Sequence, residues 1–335
     1  MKLLKKLYEI SSPSGKEQVM RSFIKSLLSG MKVNFTEDKV GNIYATKGES
    51  DTYPCIVCHT DEVHKHHAKG FCVVEANGII FGLDKDDMTF EGIGADDKNG
   101  IWVCLKALND FDVLKCAFFV SEEVGCIGSS NADMAFFNDC RFVLQCDRRG
   151  NNDFIINASG TELCSAEFVE AIGIHNFGYE VERGLMTDVM TLKDNGLKVS
   201  ACNISCGYYN PHSSNEITNI ADLRNCYALV SHIITTLTDV YPHESFDQYE
   251  LYDDSCNVKA PSVYGGYDWW DESDIKYASY SKEYDNMYED MYQYASENEN
   301  FSLKTFISLY GASYPSLYDV DFEFACEDIM GAVIK

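Results

Sequence analysis

The chain has 335 residues, 53 acidic and 27 basic, for a formal charge of -26, and 45% of its side chains are apolar. That length suits one large domain or a domain with an appendage, and the apolar share is enough for a core. Nucleic acid and anionic membrane surfaces are excluded as expected partners, because both demand a positive face.

In chain order, MKLLKKLYEI followed by SSPSGKEQ is too short and too polar in its continuation for a secretory signal. No apolar run approaches the eighteen or so residues of a membrane span, so the expected compartment is the cytoplasm. Ser14-Gly-Lys-Glu17 has the form of a capping box, and Val19, Phe23, Leu27 and Leu28 follow at helical spacing, which predicts a helix over 15–29. KVNFTED and NIYATKG are short strand-like runs, and YPCIVC over 53–58 reads as a buried central strand. FCVVEA and IIFGLD flank Asn77-Gly78, a strong hairpin signal. A helix is predicted over 97–110 from Ile101, Leu105 and Leu108. CAFFVS, RFVLQCD, FIINAS and VSACNISC are further strands, with helices near 130–138, 162–176, 188–194 and 221–240.

This alternation predicts an α/β fold, a three-layer α/β/α sandwich around a mixed, largely parallel sheet. Residues 243–335 differ in composition, with 20 acidic against 5 basic side chains, 13 of the 21 tyrosines and no arginine. A body over 1–242 is therefore predicted, followed by an acidic, tyrosine-rich extension: a linker over 243–300, then short helices over 302–335.

Fourteen cysteines are scattered through apolar runs and read as reduced, buried hydrophobes. Cys55-Ile-Val-Cys58-His59 has the spacing of covalent haem attachment, but it lies inside the strand-like YPCIVC and no second CxxC accompanies it. Haem is not expected.

The polar residues of interest stand where strands end. YPCIVC runs into His59-Thr-Asp61, the hairpin leads to Gly94-Ala-Asp96-Asp97-Lys98, and CAFFVS runs into Glu122-Glu123. RFVLQC runs into Asp147, and VSACNISC leads through a turn to His212. In open α/β sheets, sites lie outside the carboxyl ends of strands, so these groups should converge. Two histidines with several carboxylates suit zinc or a similar divalent ion. Adjacent residues of an extended backbone do not both ligate one ion comfortably. Glu122 and Glu123 are therefore expected to divide roles, one binding metal and the other taking a proton from water. Asp61, two residues after His59, is placed to orient its imidazole. Each element alone has a plainer reading as a strand end, a helix cap or a solvated face; five together do not.

These residues resemble the co-catalytic metallopeptidases of the M20, M42 and M28 families. The resemblance runs over about residues 5–235, through ISSPSGKE, VGNIYATKG, HTDEV, GADDKNG, SEEVG, CDRRG and GYYNPHSSNE. It implies that His59 and Asp147 hold one metal, that Glu123 and His212 hold a second, and that Asp96 bridges the two. It implies Glu122 as general base acting on a metal-bridging water, Asp61 as the orienter of His59, and two divalent ions, zinc by analogy. The family's inserted lid has little room here: 65 positions separate Asp147 from His212, and 37 separate His59 from Asp96.

The expected function is a dinuclear exopeptidase, an aminopeptidase acting on short peptides. A carboxypeptidase or N-acyl amino acid deacylase is the alternative, with Arg148, Arg149 or Arg183 as carboxylate partners. A non-catalytic, partner-binding relic of the fold is a third reading. A homo-oligomer is compatible with each. Two minor features complete the reading. His64-Lys-His66-His67 is expected to be an exposed loop, and Thr187-Asp188 either a helix cap or part of a substrate pocket.

Overall fold

The computed structural model describes residues 1–244, so the predicted extension lies outside the described residues apart from its first two. Two helices open the chain, α1 (Lys2–Tyr8) and α2 (Gln18–Gly30), before strands β1 (Asn34–Glu37), β2 (Ile43–Lys47) and β3 (Tyr53–His59). A small meander follows, β4 (Phe71–Ala76), β5 (Ile79–Asp84) and β6 (Thr89–Glu91), then helix α3 (Ala95–Asp110) and strand β7 (Leu114–Phe119). Next come α4 (Ile127–Ser130), β8 (Cys140–Arg148), β9 (Asp153–Ala158), β10 (Thr161–Glu162), α5 (Ala166–Ile172) and β11 (Glu180–Gly184). The chain continues through α6 (Asp188–Asp194), β12 (Ala201–Ser205), β13 (Tyr208–Tyr209), β14 (Ile217–Asn219) and α7 (Ile220–Thr236).

The main sheet runs β1-β2-β7-β3-β8-β12-β9-β10, with β11 beside β9. Its centre is parallel, β7 and β8 flanking β3 and β12 following β8, while β1, β2 and β9 add antiparallel margins. β3 shows why this is a sandwich. Ile56 and Cys58 enter the core under α3 and α7, while Cys55 and Val57 enter the opposite core with Val189 and Leu192 of α6. A strand buried on both faces reads as a continuous apolar run, which is how YPCIVC reads. The predicted α/β sandwich is the fold observed.

The same alternation separates Cys55 from Cys58, one to each core, a geometry that no shared haem could use. The cysteines of the described residues are all free, and all but Cys72 are buried. Among the described residues, no helix is long and apolar enough to cross a membrane.

Two sequence expectations change. The capping box does not form: α2 starts at Gln18, and the Ser14 hydroxyl donates instead to Asp61 Oδ2 at 2.7 Å. The Glu17 carboxylate reaches across to Ser121, accepting from its amide and its hydroxyl. The helix predicted near 130–138 is a four-residue α4 followed by a 3-10 turn, and α1 was not foreseen. The small second sheet, β13-β14-β5-β4 with β6 on β5, joins the Asn77-Gly78 hairpin to the chain beyond His212. Strands of two or three residues give too few positions for a period to show.

α1 is locked behind the site by one buried phenol. The Tyr8 hydroxyl meets Asn99 Oδ1 of α3 and Thr218 Oγ1 of β14, and Asn99 Nδ2 donates to the Cys206 carbonyl. Because the Thr218 hydroxyl also reaches Asn99 Oδ1, at 3.2 Å, Tyr8→Phe is expected to cost about 0.5–1.5 kcal/mol, the net loss of a buried hydrogen bond, read as a lower urea midpoint with unchanged slope.

Candidate metal centre

His59 is the last residue of β3 and is 1% exposed. Its Nδ1 faces the Asp61 carbonyl at 3.1 Å and the Asp61 carboxylate at 3.4 Å, which turns Nε2 toward the cleft. Nε2 lies 3.1 Å from Asp96 Oδ1 and 3.7 Å from Asp147 Oδ1. Asp96 opens α3 with a non-helical backbone, and its second oxygen is 3.4 Å from His212 Nε2. His212 in turn lies 3.1 Å from Glu123 Oε2. Two clusters result, His59–Asp96–Asp147 and Asp96–Glu123–His212, and within each the candidate ligand atoms all lie within 4.8 Å of one another. Asp96 belongs to both.

Glu122 belongs to neither. Its Oε2 is 4.0 Å from His59 Nε2, and its Oε1 accepts from the Cys126 thiol at 3.5 Å. Asp61 holds more than the imidazole: Oδ1 accepts from the Glu122 amide at 2.9 Å and Oδ2 from the Glu123 amide at 3.2 Å. All seven residues singled out in the sequence thus meet at the carboxyl ends of β3, β7 and β8.

Burial disfavours charge of either sign, and neighbours then sort the groups. It pushes the Glu122 carboxyl well above the usual range, opposed by His59 and helped by Asp147, Asp188 and Glu123. Burial and the Asp96 carboxylate push Glu123 up to about 7, against His212. Burial also works against the Asp96 anion, but His212 and His59 outweigh it and hold Asp96 well below its usual value.

Among the described residues, Glu123 Oε1 is buried with no hydrogen-bond partner, a costly state for a carboxylate oxygen. Imidazole nitrogens and carboxylate oxygens are a donor set suited to zinc or a similar ion. The residues therefore fit two divalent cations sharing Asp96.

Three contributors were not read from the sequence. The Tyr208 hydroxyl lies 3.2 Å from Asp96 Oδ2 and 3.3 Å from Asp147 Oδ1. Gln145 donates to Asp147 Oδ2 at 2.9 Å. Its one signal was a lone polar residue inside RFVLQC, two positions before Asp147. Glu216, 1% exposed, accepts from the amides of Ile93, Gly94 and Asp96, tying the chain after His212 to the turn that presents Asp96. His64 Nε2 joins it at 3.2 Å, and His67 stacks on Phe71 with centroids 3.8 Å apart. The histidine run is therefore a loop as expected, exposed at Lys65 and His66 but half-buried at His64 and His67. Thr187 makes no side-chain cap on α6; its hydroxyl donates to Gln145 Oε1 at 2.7 Å.

No protein-family model matches the chain, and no curated protein matches it in sequence. Solved structures do match its fold. Aminopeptidase PepT from Bacillus cereus superposes with a TM-score of 0.58 at 15% identity, covering 69% of this chain and 96% of that one. A tripeptidase from Staphylococcus aureus gives 0.57 at 15% identity, covering 70% and 96%. The Pyrococcus horikoshii TET1 peptidase, described as assembling into a tetrahedron or a large octahedral shell, gives 0.54 at 15% identity, covering 70% and 98%. The chain shares the architecture of these peptidases.

Glu216→Gln replaces one acceptor oxygen by an amide that faces backbone donors. It is expected to cost about 1–3 kcal/mol in urea denaturation and to weaken zinc uptake in a calorimetric titration. Unchanged zinc affinity would show that the Asp96 turn holds without it.

Proposed function

We propose that the chain is a metal-dependent exopeptidase, an aminopeptidase acting on short peptides. One observation carries the reading: a single buried carboxylate, Asp96, is shared by two three-residue clusters, while Glu122 belongs to neither and stands 4.0 Å from His59. His59, Asp96 and Asp147 would hold one divalent ion, and Asp96, Glu123 and His212 the other, zinc being the ion that best suits this mixture of nitrogen and oxygen. When bound, such ions supply Lewis acidity that polarises a carbonyl and lowers the pKa of a water.

The remaining work falls to side chains. Glu122 takes a proton on its carboxylate from the attacking water and returns it to the leaving amine. Asp61 orients His59 through Nδ1 and holds the Glu122 and Glu123 amides, so the base and the ligands move as one piece.

The surroundings favour a substrate that presents an ammonium group. The clusters and Glu122 bring four carboxylic residues together, whereas the fully buried Asp97 and Asp188 turn their oxygens to protein donors, the His59 and Gly100 amides for Asp97 and Ser129 and Gln145 for Asp188. Arg148, weighed above as a partner for a substrate carboxylate, is turned to Asp153 at 3.0 Å. The fold likeness to a tripeptidase agrees with short peptides, and that to the TET1 peptidase with a homo-oligomer.

Glu122→Gln should keep zinc uptake and lose nearly all hydrolysis of aminoacyl-arylamides, on the order of 100-fold or more for a displaced general base. His59→Ala should lose zinc affinity itself. Hydrolysis of N-acyl amino acids in preference to aminoacyl-arylamides would assign the deacylase reading. Wild-type protein that takes up no divalent ion, and that Glu122→Gln leaves unaltered, would mark a non-catalytic relic.

A further inference from the structure

Gln145 and Asp147 are two residues apart on β8, so their side chains leave the same face of the strand. Gln145 is fully buried, and its amide can sit in only one orientation. The Val189 backbone amide, which can only donate, approaches Oε1 at 3.1 Å, and the Thr187 hydroxyl approaches the same oxygen at 2.7 Å. Asn203 Nδ2 donates to the Thr187 oxygen at 3.1 Å, leaving the hydroxyl proton for Gln145. Nε2 must therefore face the other way.

There it finds two carboxylates, Asp147 Oδ2 at 2.9 Å and Asp188 Oδ2 at 3.4 Å. Two amide hydrogens meet two acceptors. Asp188 is itself fixed, taking the Ser129 hydroxyl on Oδ1 at 2.5 Å. Asp147 is gripped along its backbone as well, its amide donating to Asn203 Oδ1 and its carbonyl accepting from Asn203 Nδ2. Its outer oxygen is thus taken, and its inner oxygen, Oδ1, is the one aimed at His59.

We propose that Gln145 is a positioning residue for the His59–Asp96–Asp147 cluster: by holding Oδ2 of Asp147 it leaves Oδ1 as the single donor. It thereby sets the cation affinity of that cluster and not of Asp96–Glu123–His212. The inference rests on reading the two clusters as cation sites. Outer partners of metal ligands typically govern affinity by roughly 10–100-fold, and here the effect is one-sided because Gln145 touches a ligand that the clusters do not share.

The test is a calorimetric titration of zinc ion into the full chain stripped by a chelator, followed by cobalt(II) absorption spectra. Wild type is expected to take up two equivalents. In Gln145→Met, which keeps length and burial but has no N–H, one equivalent should weaken roughly 10–100-fold. The other should stay within about twofold, and the cobalt spectrum of the weakened site should change. Gln145→Glu, which replaces the amide donor by a carboxyl group, should weaken the same equivalent and decides the matter if the Met variant does not fold. Wild-type affinity at both equivalents in either folded variant overturns the proposal, as does an equal loss at both. Wild-type protein that takes up no zinc instead removes the cation reading beneath it.

Discussion

Asp96 is the point on which the site turns. It stands between two imidazoles, each within 3.4 Å of one of its oxygens, and it is 9% exposed. Buried anions are tolerated only when charge and hydrogen bonds compensate them. The surrounding fold supplies that compensation in layers. His59 and His212 face the carboxylate directly, Glu216 receives the Asp96 amide, and Tyr208 offers a hydroxyl to Asp96 and Asp147.

Behind these groups lies a shell that fixes backbone more than charge. Glu62 and Lys98 form a buried pair at 3.0 Å, and Glu62 also accepts from the Ser12 amide. A buried pair of this kind adds little net stability, but it stitches three segments together: the loop after α1, the chain leaving β3 and the first turn of α3. Asp61 does the same between β3 and the Glu122–Glu123 turn. The result is a rigid floor under groups whose like charges repel.

The sheet and its polarity were legible because a strand buried on both faces cannot hide its apolar run, and because polar residues that stop such runs fall at one edge. His59, Asp61, Asp96, Glu122, Glu123, Asp147 and His212 were singled out by that rule and by the resemblance it invited, and the fold brings them together. Ser14 and Glu17 were misread, since a capping box and a pair of long-range hydrogen bonds use the same residue types at the same spacing. Glu216 closes the GYYNPHSSNE segment but was given no role, because a glutamate in a polar turn looks solvated until the three amides that it accepts from are placed around it. Local pattern carries periodicity; it does not carry partners 120 positions away.

The Tyr8 phenol and the Thr218 hydroxyl are 210 positions apart in the chain, and Ser14 lies on Asp61 while Glu216 lies on the Asp96 turn. The centre is thus drawn from nearly the whole length of the described body. During synthesis, a chain that had finished its central strands would still lack His212 and the glutamate that braces Asp96. Contacts so distant in sequence close late, and a site completed only by the folded chain couples cation capture to the end of folding. Ion uptake at the Asp96–Glu123–His212 cluster would then report completion of the body, with chains that stop short of His212 excluded from it.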